Sequence, residues 1–138
     1  MDLASLYSVM SKYRYGVVTS TSSMGTPQSA LVGIAITTDL EIIFDTVASS
    51  RKYPNLIEHP YCSFVVGWGA EQTVQFEGIA TLPKGLDLKR YQDVYFAVWP
   101  ECRTHISWLG IAYFVVHPRW IRFSDYDQNP PLIEEITF

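Results

Sequence analysis

The segment Ile42-Ile43-Phe44-Asp45-Thr46-Val47-Ala48-Ser49-Ser50-Arg51-Lys52 holds the densest set of anion-binding groups in the chain. An apolar run ends in a hydroxyl, Thr46, and a short loop of small residues follows. Two further hydroxyls, Ser49 and Ser50, then stand before two adjacent cations. A phosphate monoester needs this equipment. Free N–H groups at a helix start and the helix dipole favour an anion. The planar fork of Arg51 can grip two phosphate oxygens, Lys52 adds a point charge, and the hydroxyls fill the remaining acceptor sites. A solvated surface loop with an ordinary cap has the same composition, so the pattern alone leaves both readings open.

A second feature is Gln28-Ser29-Ala30-Leu31-Val32-Gly33. As a strand beside the one ending at Thr46, it offers main-chain donors and acceptors to the rim of a planar heterocycle. Small Ala30 and Gly33 permit close approach. The competing reading is an ordinary half-buried strand.

Other constellations carry less. His59 and Cys62 are three apart, as are Cys102 and His105, and two such pairs can in principle complete a tetrahedral zinc site. Pro60 interrupts the first pair, neither pair follows a Gly turn, and Cys62 sits in an apolar strand pattern that suits a buried thiol. No metal is expected. There is no Gly-x-Ser-x-Gly and no P-loop. Asp39, Asp45, Glu77 and Asp125 fall near strand ends with nothing to pair any two as a catalytic dyad. His117 is expected to face solvent from a tight turn. Trp99, Trp108 and Trp120 read as core or interface anchors.

These groups need elements to hold them. Leu3, Leu6, Tyr7 and Met10 recur at helical spacing behind Asp2, a good cap. Strands are expected over Val17–Thr21, Ser29–Thr37 and Glu41–Thr46, then one or two helical turns over Arg51–Glu58, stopped by His59-Pro60. Tyr61–Trp68 and Thr73–Leu82 read as apolar strands. Tyr91, Val94, Tyr95 and Val98 follow helical spacing. Ile111–Val116 and Trp120–Ser124 read as two last strands joined by a turn at His117-Pro118-Arg119. Strands at hairpin spacing, rather than alternating with helices, predict a mainly β, closed or nearly closed antiparallel barrel with peripheral helices. The barrel is expected to span residues 1–125, and residues 126–138, with four acids after Ser124 and two adjacent prolines, to form an extended arm.

Bulk properties agree. The 138 residues fit one domain, with 48% apolar and 17% charged residues, the reverse of a disordered chain. A net charge of -4 gives no global basis for gripping duplex DNA, so nucleic acid is not expected as a partner. No apolar run reaches the ~18–20 residues of a membrane span. Two cysteines make no disulfide framework, and Met1-Asp2-Leu3 lacks a signal-peptide pattern, so a cytoplasmic protein with reduced thiols is expected. Aromatics at 14% exceed what a small domain usually hides alone and point to a subunit contact or a pocket for a planar ligand.

From about Leu3 to Phe123 the chain resembles the pyridoxamine 5'-phosphate oxidase-like family of FMN-binding split barrels. The resemblance is carried by Phe44-Asp45-Thr46-x-x-x-Ser50-Arg51-Lys52, then Asn55-Leu56 and His59-Pro60. It implies a six-to-seven-stranded antiparallel barrel that dimerises, with FMN in two clefts at the subunit contact. It further implies that Arg51 and Lys52 clamp the phosphate beside Ser50. Asp45 and Thr46 would touch the flavin from the third strand, and Ser29, Ala30, Leu31 and Val32 would line the isoalloxazine. Gln75 would reach the flavin from below. The family usually has an aromatic at Asp45 and often an arginine at Ser29, so the clamp here has one cation fewer. The last strand, Val116-x-Pro118-x-x-Ile121-x-Phe123, continues into Ser124-Asp125-Tyr126-Asp127. The Trp-Gln-Gly segment and Arg-x-His motif of true pyridoxamine phosphate oxidases do not occur there.

What the resemblance implies is thus a homodimeric FMN-binding protein, an FMN-dependent oxidoreductase of undetermined substrate and with no catalytic acid or base identified. Three alternatives stand beside it: oxidation of pyridoxamine or pyridoxine phosphate itself, a deazaflavin or haem in the same cleft, and a non-catalytic flavin-binding or redox-sensing module.

Overall fold

A computed structural model describes all residues, 1–138. Helix α1, Leu3–Met10, is capped by Asp2, whose carboxylate accepts the Ser5 N–H at 2.8 Å. Its apolar stripe sends Leu6 and Met10 into the core. The strands are β1 Tyr15–Thr21, β2 Pro27–Gly33, β3 Ala35–Ile36, β4 Ile42–Val47, β5 Tyr61–Val66, β6 Gln72–Thr81, β7 Ile111–Asp125 and β8 Leu132–Thr137. Helix α2, Lys52–Glu58, follows β4, and helix α3, Gly85–Val98, runs on into a 3-10 helix, Pro100–Ser107.

All pairings are antiparallel, in the order β2-β1-β5-β6-β7-β4-β3, with β8 added to β7. The chain passes directly from β2 through Ile34 into β3, so the two ends of the sheet meet. β2 and β4 approach each other without a ladder between them, which leaves the barrel split along that seam. Strand alternation fills the inside with Val18, Val32, Phe44, Phe64, Phe76, Phe114, Val116 and Ile121. Phe44 stacks on Phe114 at 5.6 Å and meets Phe64 edge-on at 5.8 Å. A second apolar cluster lies on the outer face of β3, β4 and β7, where α3 and the 3-10 helix cover Ile43, Tyr113 and Val115 with Tyr91, Tyr95, Phe96 and Trp99. The outer face of β1, β2, β5 and β6 has no helix over it and leaves Leu31 62% exposed and Val65 42% exposed.

Four expectations change. His117-Pro118-Arg119 is not a turn: β7 runs unbroken through it for 15 residues. Gly78 pairs with Pro118 and Glu77 with Trp120, so Arg119 is an extra residue that bulges from β7 opposite Glu77/Gly78, and a side chain at Gly78 would overlap the His117 carbonyl. His117 does not simply face water. Its Nδ1 sits 2.9 Å from Glu41 Oε2 and its Nε2 2.9 Å from Thr81 Oγ1. Beyond Asp125 the chain turns back, and Leu132–Thr137 pair with Trp120–Asp125, so the tail is a strand of the sheet. The expected strand Ser29–Thr37 also breaks at Ile34, where Gly33 makes room for the Trp99 ring and the Trp99 indole donates to the Ile34 carbonyl at 3.0 Å.

Candidate functional site

A groove of about 430 Å³ opens at the seam of the barrel. Its lining is Ser20 from the end of β1, Pro27, Gln28, Ser29 and Ala30 from β2, and Arg51 and Lys52 from the start of α2. The two cations and the start of β2, read from the sequence as separate features, form one wall each.

Local structure explains the meeting. Thr46 ends β4 on its inward face, and its hydroxyl donates to Ser50 Oγ at 2.9 Å. Ser50 Oγ in turn accepts the Tyr53 N–H at 3.3 Å, which fixes the first turn of α2. Thr46 and Ser50 therefore hold the corner behind the cations. Asn55 then locks α2 against the barrel. It is 7% exposed and donates to Ser20 Oγ at 3.1 Å and to Gln28 Oε1 at 2.9 Å, joining α2 to β1 and β2 at the floor of the groove.

The electrostatics are one-sided. Neither Arg51 nor Lys52 has a carboxylate within salt-bridge distance. Burial holds the Lys52 ammonium below its usual 10.5. A half-buried cation without a counter-charge, next to an arginine and flanked by hydroxyl and amide groups, has the charge and the hydrogen-bond partners that suit an anion.

The remaining expected residues divide by strand face. In β2, Ala30 and Val32 point inward, and Val32, 8% exposed, belongs to the core. Ser29 and Leu31 point outward, with Ser29 Oγ 2.8 Å from Thr19 Oγ1. Gln75 is also on the outer face, but on β6, in the row Leu31, Val17, Val65, Gln75 that runs across β2, β1, β5 and β6. Three strand spacings, about 14 Å, separate it from Leu31, so within one chain it does not join the groove. Asp45 lies on the opposite face from the groove. It alternates with Thr46, points to the helix-covered side of β4, and places Oδ2 3.0 Å from His105 Nδ1. Ser20 and Gln28, which line the groove, and Asn55, which braces them from behind, are residues that sequence reasoning gave no role; only the polar Gln28 at the head of an otherwise small-residue strand signalled one.

No helix is long and apolar enough to cross a membrane. The sequence profile of a family described as pyridoxamine 5'-phosphate oxidase matches residues 7–125. No curated protein matches the chain. Among solved structures, a heme binding protein from Mycobacterium smegmatis superposes with a TM-score of 0.84 at 15% identity, over 99% of this chain and 58% of that one. The chain thus spans little more than half the length of that protein. A conserved hypothetical protein from Mycobacterium tuberculosis gives 0.75 at 24% identity, over 91% of this chain and 86% of the other. A pyridoxamine 5'-phosphate oxidase-related, FMN binding protein from Nostoc punctiforme gives 0.68 at 11% identity, over 99% and 92%. At these identities the likeness establishes the split-barrel fold.

Proposed function

Since the chain belongs to the pyridoxamine 5'-phosphate oxidase family, we propose that its groove holds the phosphate end of FMN and that the protein is a homodimeric FMN-dependent oxidoreductase. The observation that carries this reading is the pair Arg51 and Lys52, which stand together at the seam with no acid to neutralise them. The residues fit the cofactor. The cations match a phosphate of about −1.5 to −2 charge. Ser20, Gln28 and Ser29 offer partners for a polyhydroxyl chain, and Ala30 leaves space for close approach to β2. Seven lining residues with one hydrophobic among them suit the phosphate and sugar-alcohol end. The ring would lie outward along β2 beside Leu31, where the uncovered sheet face of a second subunit completes the cleft.

When bound, the flavin supplies hydride and single-electron chemistry. The chain's part is to grip, orient and shield. Arg51 and Lys52 anchor the phosphate, Thr46, Ser50 and Asn55 hold those cations in place, and the backbone of β2 offers N–H groups to the ring's polar edge. In a dimer, Gln75 would reach the ring from the partner's outer face, since it lies in the same row as Leu31. Oxidation of a vitamin phosphate is disfavoured, because the segment after β7 is committed to a turn: Asp125 accepts the Asp127 N–H at 3.0 Å and the Gln128 amide at 3.1 Å.

The test is the absorption spectrum of the protein as purified, followed by mass analysis of the released ligand. A flavin spectrum and the mass of FMN are expected. The double variant Arg51→Ala, Lys52→Ala is expected to fold normally, by circular dichroism, and to lose the bound flavin. Stoichiometric flavin in that variant refutes the assignment.

A further inference from the structure

On the side of β4 away from the groove, three donors of different chemistry converge. The Asp45 carboxylate, the Cys102 thiol and the His105 imidazole lie within 4.8 Å of one another. They come from two elements. Asp45 sits on β4, and Cys102 and His105 are three apart on the 3-10 helix, a spacing that puts both on one face. We propose that Asp45, Cys102 and His105 bind one divalent transition-metal ion of zinc's chemistry, which ties the 3-10 helix to the barrel wall.

The donor set selects the metal. Thiolate and imidazole suit zinc and its neighbours, whereas calcium and magnesium take oxygen ligands. The geometry is nearly formed. Nitrogen and oxygen ligands of a tetrahedral zinc stand roughly 3.3 Å apart, and His105 Nδ1 to Asp45 Oδ2 is 3.0 Å. The Cys102 sulfur lies within 4.8 Å of both. The His105 ring is already oriented, stacked on Trp108 at 3.7 Å between centroids. The Asp45 and His105 side chains remain 17% and 22% exposed, enough for an ion to enter from solvent.

A second, independent observation points to a ligand. The Tyr113 hydroxyl is buried with no hydrogen-bond partner, in a residue 5% exposed. Tyr113 stands directly across from Asp45 in the β4–β7 ladder, so its ring shares the face on which that donor lies. Three protein ligands leave one tetrahedral position for water, and that water would satisfy the orphaned hydroxyl. Binding is redox-neutral. The Cys102 thiol loses its proton to solvent, the His105 Nδ1 proton moves to Nε2 by way of solvent, and S–metal, N–metal and O–metal bonds form. One thiolate and one carboxylate then balance the dication, so the half-buried site carries no net charge.

The test uses Co²⁺ with the purified protein, read as a difference spectrum so that any flavin cancels. One equivalent is expected to give a thiolate-to-cobalt charge-transfer band and the visible bands of tetrahedral cobalt, both removed by Zn²⁺. Cys102→Ser is expected to abolish the charge-transfer band, while Asp45→Asn and His105→Gln each weaken binding at least ~100-fold. Cys62→Ala, in the barrel core, leaves the spectrum unchanged. Zn²⁺ raises the thermal midpoint of the wild type and not of Asp45→Asn, whose side chain keeps its shape. A wild-type spectrum without a thiolate band, a band that survives Cys102→Ser, or one lost in a folded Cys62→Ala overturns the proposal.

Discussion

Lys52 illustrates how a single side chain can be held ready for a ligand. Its ammonium is partly desolvated and meets no carboxylate, so burial lowers its pKa from 10.5. The folded chain therefore holds that proton less tightly than the unfolded chain does. Stability of the flavin-free protein rises with pH between the depressed value and 10.5, and is flat with respect to this group below that window. The rise is small, because the amine is still largely in water. A bound phosphate dianion favours the charged amine and erases the rise. Denaturation midpoints measured from about pH 8 to 11, wild type against Lys52→Met, are expected to converge as pH increases when flavin is absent. Curves that stay parallel would show that the amine is not desolvated. The anion corner was legible in the sequence because Thr46, Ser50, Arg51 and Lys52 are near neighbours whose geometry is set by one strand end and one helical turn. Asp45 was not. Its partner His105 lies 60 residues away, and strand alternation turns it from the groove, a fact hidden while β4 lacked a known inside.

Elements hold these side chains through a few buried polar joints. Asn55 joins α2 to both β1 and β2, and Ser20, 1% exposed, has its only side-chain partner there. Asn55→Ala leaves buried polar groups unpaired, which costs about 1–3 kcal/mol. Urea unfolding is expected to register that loss, with flavin affinity falling alongside as α2 loosens. An unchanged midpoint would mean that water replaces the amide. Gly78 is the second joint. It sits opposite the Arg119 bulge of β7 and lets Pro118 pack close, and any Cβ at this place overlaps the His117 carbonyl. Gly78→Ala is expected to cost at least ~2 kcal/mol, read in the same unfolding curve. A neutral effect would indicate that β7 can break at the proline after all. Helix α1, α2 and the short strands were readable from local spacing and caps. The continuity of β7 was not, because His117-Pro118-Arg119 has the composition of a turn and the glycine that accommodates it, Gly78, sits about forty residues earlier in β6. The pairing of β8 was likewise masked by its acids and prolines, while Leu132 and Ile136 pack on the core.

At the scale of the whole molecule, the barrel is covered unequally. Helix α3 and the 3-10 helix shield β3, β4 and β7, while β1, β2, β5 and β6 present a bare outer face. Across it runs the row Leu31, Val17, Val65, Gln75, with Leu31 62% and Val65 42% exposed and Tyr15 46% exposed nearby. This row continues from the groove wall at β2, so a second copy seated on it would bury the apolar strip and close the cleft together. Two kinds of failure then become separable. Val65→Asp places a carboxylate in the middle of the strip without touching the cations. It is expected to raise the dimer dissociation constant at least ~100-fold, to leave the monomer folded, and to lower flavin content in proportion to the dimer lost. Arg51→Ala with Lys52→Ala is expected to lose flavin while remaining a dimer. Light scattering and flavin absorbance on both variants decide the matter. A Val65→Asp monomer that still holds one flavin per chain would show that each barrel binds its cofactor alone.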